Sequence, residues 1–240
     1  MVEQMKQSNK KLILWDIDGT LMHCGADGTM ALNQTFLKLY GIEDAFTSAG
    51  IGHAMDSVIL KHILSSNNLN TGELETIKHH YIEILKETLN KNESKRVLPG
   101  IKELLEELRK SNDCYSALLT SNLRSGAETK LQSVGLHGYF TIGGFGDAIG
   151  EKWDAAETGI LEAEKHFGVN FRREDIYIIG DSIYDIQCAK RIGAVSIGVA
   201  TGFAPYELLK SQEPDFLYED LSRWKEIALQ HHWISSEASN

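Results

Sequence analysis

The stretch Leu12-Ile13-Leu14-Trp15-Asp16-Ile17-Asp18-Gly19-Thr20-Leu21 constrains this chain more than any other. A run of bulky apolar residues reads as a buried strand, and strands buried on both faces belong to parallel sheets. The run ends at two carboxylates, and Gly19 then breaks it. In an open parallel sheet, ligands bind beyond the carboxyl ends of the strands. Asp at i and i+2 of a straight strand share one face. Asp16 and Asp18 therefore repel unless a cation lies between them or one takes up a proton. The pair reads as a nucleophilic or metal-binding site at a strand end. The alternative, from this stretch alone, is an ordinary strand-to-turn exit, where Asp-Gly is common.

Past Leu21 the period changes. Met30, Leu32, Phe36, Leu37, Leu39 and Tyr40 predict an amphipathic helix closed by Gly41. A second helix is predicted from Met55 to about Ser65 and a third from about Thr71 through Leu89. No strand pattern occurs from residue 23 to 96, so this block reads as a helical insert. Pro99 marks the start of a helix through Ile101, Leu104, Leu105 and Leu108, since its missing N–H costs nothing there. From that point the chain alternates. Strands are predicted at Tyr115–Thr120, Tyr139–Ile142, Asp175–Gly180 and Val195–Val199. Helices are predicted from about Gly126 to Val134, Ala155 to Phe167 and Tyr184 to Ile192. Helices between apolar strands make an α/β fold, a parallel sheet covered on both faces. The tail, Ser235 to Asn240, reads as frayed.

At 240 residues the chain can bury a core without disulfides or structural metals as staples. A net charge of −10 argues against a nucleic-acid partner, whose phosphates need clustered Lys and Arg. No apolar run is long enough to span a bilayer, so no membrane partner is expected. Met1 to Lys11 is polar and lacks a signal-peptide core. Cys24, Cys114 and Cys188 are scattered, without a CxxC, which fits reduced thiols in a cytoplasmic protein.

Further polar groups stand where strands are predicted to end. Thr120-Ser121-Asn122 follows one strand, and Asp181-Ser182-Ile183-Tyr184-Asp185 follows another. Lys152 stands just ahead of a helix. Each alone has a local explanation: a turn or N-cap for Thr120 to Asn122 and Asp181, a first-turn acid for Asp185, a solvated surface lysine for Lys152. Their coincidence at one edge of one sheet is what carries weight. Asp16, Asp18 and Asp181 together repel, and Mg2+, which prefers oxygen ligands, removes the conflict. Thr120 and nearby N–H groups can hold phosphate oxygens. Lys152 can neutralise a phosphate and a carboxylate at once. An Asp nucleophile then gives an aspartyl-phosphate.

These residues resemble the haloacid dehalogenase superfamily of aspartate-nucleophile phosphatases, in its phosphoglycolate phosphatase and beta-phosphoglucomutase-like branch. Asp16-Ile17-Asp18-Gly19-Thr20-Leu21 matches its DxDGT first motif. Thr120 matches the second, Lys152 the basic third, and Gly180-Asp181 with Asp185 the acidic fourth. The matches run in order over residues 12 to 200. Arg124, Lys130 and Lys165 are the other basic candidates for the third motif.

The resemblance implies a Rossmann-like three-layer core, residues 1–22 and 97–240, with residues 23–96 as an inserted helical cap. It implies a Mg2+-dependent phosphomonoesterase acting on a small phosphorylated metabolite, as monomer or homodimer. Asp16 is then the nucleophile and Asp18 the acid and base. Gly19, Thr120, Ser121, Asn122 and Lys152 bind the phosphate. Asp16, the Asp18 carbonyl and Asp181 hold the metal, with Ser182 and Asp185 supporting. In the cap, Gly52-His53-Ala54-Met55-Asp56 stands where many relatives show Gly-Arg-Thr-Asp, which makes His53 and Asp56 the candidates for substrate selection and leaves Ala54 at the basic position. Two alternatives remain: a sugar-phosphate mutase of the same superfamily, and an idle binding module that keeps the fold.

Overall fold

Trp15 and the residues before it sit within a parallel sheet, flanked by strands on both sides. The structure, a computed structural model, describes residues 10–147 and 150–235. The expectations for most of Met1–Lys11 and for the tail beyond residue 235 lie outside the described residues. In chain order the strands are β1 (Lys11–Trp15), β2 (Met22–His23), β3 (Arg96–Val97), β4 (Cys114–Leu119), β5 (Gly143–Gly144), β6 (Ile176–Gly180), β7 (Val195–Val199) and β8 (Phe216–Tyr218). The helices are α1 (Asp27–Tyr40), α2 (Ala45–Ala49), α3 (Asp56–Ser66), α4 (Leu74–Lys91), α5 (Ile101–Leu108), α6 (Arg124–Ser133), α7 (Lys152–Phe167), α8 (Ile183–Ile192), α9 (Tyr206–Ser211) and α10 (Trp224–Gln230).

Six parallel strands form one sheet in the order β5-β4-β1-β6-β7-β8. In register, Leu14 of β1 lies between Ala117 of β4 and Ile178 of β6. Alternation of side chains sorts the core into two layers. Ile13, Trp15, Tyr177, Ile179 and Ile197 face α5, α6 and α10 through Ile101, Leu104, Ala127 and Ile227. Leu12, Leu14, Ala117, Leu119 and Ile178 face α7 and α8 through Ala155, Ile160, Ala163 and Ala189. Helices on both faces are what continuous apolar strands require. Each fully buried Leu or Ile contributes about 1.5–3 kcal/mol relative to exposure. The first layer continues into α1, α3 and α4 through Phe36, Ile59, Ile63, Tyr81 and Leu85.

Two readings of the sequence need correction. Strands do occur at both ends of the helical block: β2 and β3 pair antiparallel, Met22 opposite Val97 and His23 opposite Arg96. Two residues are too few to show an alternating pattern. The strand expected at Tyr139–Ile142 is a 3-10 turn followed by irregular chain, and the ladder forms one step later at Gly143 and Gly144. Bulky residues give the stronger strand signal, but α7 lies against the sheet here: a Cβ on Gly144 would come within 2.0 Å of the Ala155 carbonyl oxygen. Beyond these, β8 closes the far edge, where Asp215 accepts hydrogen bonds from Ser196 N and Oγ at 2.8 and 2.7 Å. Among the described residues no helix is long and apolar enough to cross a membrane.

Candidate active site

The site is assembled where β1, β4 and β6 end. Asp16 follows β1 directly and is 7% exposed. Its backbone N–H still donates to the Ile179 carbonyl of β6, so the ladder holds it in place. Gly19 then turns the chain with φ +82°, a conformation that favours glycine. The space is as restrictive as the angle. A Cβ on Gly19 would lie 2.5 Å from Asp181 Oδ2, and one on Gly202 only 1.7 Å from the same atom. Asp181 thus sits in a cradle between the loops after β1 and β7. Phe203 N donates to its Oδ2 at 3.0 Å, and Thr201 Oγ1 donates to the Gly19 carbonyl at 2.6 Å, tying the two loops together.

Asp185 lies in the first turn of α8, where Ser182 is the N-cap. Ser182 N and Oγ donate to Asp185 Oδ2 at 3.1 and 2.5 Å, a reciprocal capping box. This leaves Asp185 Oδ1 for the site. One ligand atom from each of Asp16, Asp181 and Asp185 falls within 4.8 Å of the others, and all three residues are buried. Burial pushes Asp16 well above the usual carboxylate range; Lys152 opposes this, while Asp185, Asp181 and Asp18 add to it. Burial, with the neighbouring Asp185, pushes Asp181 up to about 7. Three buried carboxylates and no softer donor make an oxygen site of the kind that suits Mg2+. A divalent cation would relieve the mutual repulsion that raises both groups.

Lys152 is the first residue of α7. Its ammonium lies 2.9 Å from Asp16 Oδ1 and 2.6 Å from Asp185 Oδ1. Burial opposes its charge, but these two acids outweigh the penalty and raise its pKa. Of the competing cations, Lys165 stands in the last turn of the same helix. Arg124 pairs with Glu162 at 3.2 Å and stacks over Phe145. Lys130 does enter the site, but against the other acid.

Asp18 is turned away from the acidic cluster. Its Oδ2 accepts from Lys130 Nζ at 2.6 Å and from Asn122 Nδ2 at 2.7 Å. Burial alone would raise Asp18; the Lys130 charge and hydrogen bonds from Lys130, Asn122 and Cys24 outweigh it and hold the carboxyl below its usual range. The Asp18 carboxylate is thus engaged away from the cluster formed by the other three acids. Thr120 is fully buried after β4. Its Oγ1 accepts from Asn122 N and Nδ2, at 3.2 and 2.7 Å, which leaves its proton to donate to an incoming oxygen. Ser121 and Asn122 line a cavity beside Asp18.

The helical block meets this loop directly. Asp56 N donates to the Ser121 carbonyl at 2.9 Å, and Asp56 Oδ2 accepts from Leu123 N at 2.9 Å. Burial pushes the Asp56 carboxyl up to about 6. His53 is exposed and stacks on Tyr184 of α8 with ring centres 4.8 Å apart. Among the residues brought to Asp18, Lys130 was weighed in the sequence only as a rival for Lys152. The signal was its spacing: Gly126, Ala127, Lys130 and Leu131 lie on the buried side of α6, a lysine on a face otherwise small and apolar.

Known proteins share this framework. Residues 13–199 match the haloacid dehalogenase-like hydrolase family. A phosphoglycolate phosphatase of Aquifex aeolicus is 30% identical over 209 residues, 86% of this chain and 91% of that one. One from Vibrio vulnificus is 26% identical over 94% of this chain and 99% of its own length. A solved Haemophilus somnus structure, described as a predicted phosphoglycolate phosphatase, superposes with a TM-score of 0.66 at 21% identity, covering 92% of this chain and 99% of that one. With strand-end carboxylates, a lysine between two of them and a match spanning most of its length, the chain belongs to the haloacid dehalogenase-like hydrolase family and is a phosphatase.

Proposed function

We propose that this protein is a Mg2+-dependent phosphomonoesterase that works through an aspartyl-phosphate on Asp16, with residues 23–96 as a cap over the site. The observation that carries the reading is Lys152 seated between Asp16 and Asp185 at 2.9 and 2.6 Å, beside the carboxylates of Asp181 and Asp185. Lys152 opposes the burial that raises Asp16, favouring its ionised form for attack, and balances charge on the transferring oxygens. Thr120 directs its hydroxyl proton at a phosphoryl oxygen. The Asp16 carboxylate attacks phosphorus and the ester oxygen departs with a proton from Asp18, which is ionised at rest beside Lys130 and must take up that proton as the phosphate dianion arrives. Asp18 then takes a proton from water, which attacks the phosphorus and releases phosphate, restoring Asp16. Asp16, Asp181, Asp185 and the Asp18 carbonyl are the residues that would hold Mg2+. When bound, it supplies positive charge to the phosphoryl oxygens and to the acids.

The curated relatives above are named phosphatases, which supports hydrolysis over transfer to a second hydroxyl. The reading is tested with purified protein, Mg2+ and Asp181→Asn. Wild type should gain about 2.7 kcal/mol of stability at a hundredfold excess of Mg2+ over its Kd. Asp181→Asn should lose most of that gain and most phosphatase activity. A melting curve indifferent to Mg2+, in a protein whose activity ignores chelator, would contradict it.

A further inference from the structure

A cavity of about 200 Å3 opens beside Asp18, between the core loops and helices α1, α3 and α4. On the phosphomonoesterase reading, Asp18 serves the leaving oxygen, so this space is where the alcohol part of the ester lies. Its size is bounding: a 150 Å3 apolar cavity takes one benzene. Its walls are largely apolar, from Leu32, Phe46, Leu60, Leu123 and Phe203.

Its charges are more informative. Lys130 is the one cation among the described lining residues, and it is already committed to Asp18 at 2.6 Å and to Asn122 Oδ1 at 2.7 Å. Against this ammonium stand two carboxyls, Asp18 and Asp56. No lining cation is left to pair with an anion on the substrate's organic part. Ala54, where a basic side chain would face the same space, offers only a methyl group. Bringing a carboxylate into a desolvated site with surplus negative charge is costly. Hydroxyls are a different matter. Tyr81 is 4% exposed, lines the cavity and makes no hydrogen bond to another described residue. Asp56 uses only Oδ2 on Leu123 N. Both groups line the cavity with hydrogen-bonding capacity that no described residue uses, and a substrate hydroxyl would engage either one.

We propose that this cavity selects a compact alcohol that bears hydroxyl groups but no charge, and that carboxylate-bearing esters such as phosphoglycolate are poor substrates. The proposal rests on the phosphatase reading, so the test keeps the two apart. Wild-type kcat/KM is measured with Mg2+ for 2-phosphoglycolate, for its neutral amide, for 2-hydroxyethyl phosphate and for p-nitrophenyl phosphate as a reference. The amide and the hydroxyethyl ester should each exceed phosphoglycolate by at least about tenfold, the scale of one unpaired charge near a partly desolvated carboxylate. Ala54→Arg should reverse the ratio of phosphoglycolate to amide by about tenfold, and Ala54→Gln, similar in reach but uncharged, should not. Turnover of p-nitrophenyl phosphate with phosphoglycolate equal to or better than the amide overturns the proposal alone. So does an Ala54→Arg protein, still active on p-nitrophenyl phosphate, with an unchanged ratio. If wild type hydrolyses none of the four esters, the phosphatase reading falls, and the proposal with it.

Discussion

Lys152 touches two carboxylates that nothing else nearby neutralises, and its loss should be felt twice. Breaking a buried ion pair by removing one partner typically costs about 3–5 kcal/mol. Lys152→Met should lose that much stability without metal, and Mg2+ should restore more of it than it adds to wild type. Urea titrations with and without Mg2+ check this. Activity in Mg2+ should fall about 10²–10³-fold, as when one donor to a developing charge is removed. Asp56 offers a separate test, through pH. Its folded pKa, about 6, lies above its ordinary 3.8. Folded protein therefore binds more protons than unfolded between these values, and stability falls as pH rises from about 4 through 6. Asp56→Asn keeps an oxygen for Leu123 N and removes the titration. It should flatten that part of the profile and gain at most about 3 kcal/mol at pH 8. A variant whose profile parallels wild type would mean that Asp56 is not held in a desolvated site. At this scale the sequence was legible where residues stand at strand ends, because a strand end has only one place to go. Lys130 stands within a helix, and its side chain meets Asp18 across 112 positions. Only the packing of α6 against the sheet brings them together.

Elements carry these side chains into position, and their closest approaches fall on glycine. Gly159 of α7 and Gly144 of β5 face each other so tightly that a Cβ on Gly159 would lie 2.6 Å from Gly144 N. This seam sets the distance of α7 from the sheet, and Lys152 begins that helix. Gly144→Ala should push α7 outward at a cost of about 1–3 kcal/mol, typical of overpacking. The same shift should raise KM less than it lowers kcat, since it moves Lys152 from Asp16 rather than altering the cavity. Equal changes in both would put the damage elsewhere. The long helices and central strands were readable from periodicity because each buries a full face. The β2–β3 ribbon, β5 and β8 were not, being two or three residues long. Such pieces exist because a neighbour supplies the ladder, not because their residues favour it.

Over the whole molecule, the ends of the sheet strands gather acids and a helical block packs beside them. Asp16 and Asp18 are chemically alike and two residues apart, yet the fold gives them different partners. Asp16 faces Lys152 and the acidic cluster, while Asp18 faces Lys130, Asn122 and the cavity. On the proposed mechanism one carboxylate serves phosphorus and the other serves protons. Proton transfer by a positioned group typically contributes about 10²–10⁴-fold. An aryl leaving group scarcely needs it in the first step, but hydrolysis of the phosphoenzyme does whatever the ester. The measurement is rapid-quench kinetics of Asp18→Asn with p-nitrophenyl phosphate, with peptide mass mapping of the quenched protein. Expected are one burst of nitrophenolate per active site, slow turnover afterwards, and a phosphoryl group on the peptide containing Asp16 that is absent from Asp16→Asn. A linear time course without adduct, a phosphoryl group on another residue, or normal turnover by Asp16→Asn would contradict this mechanism.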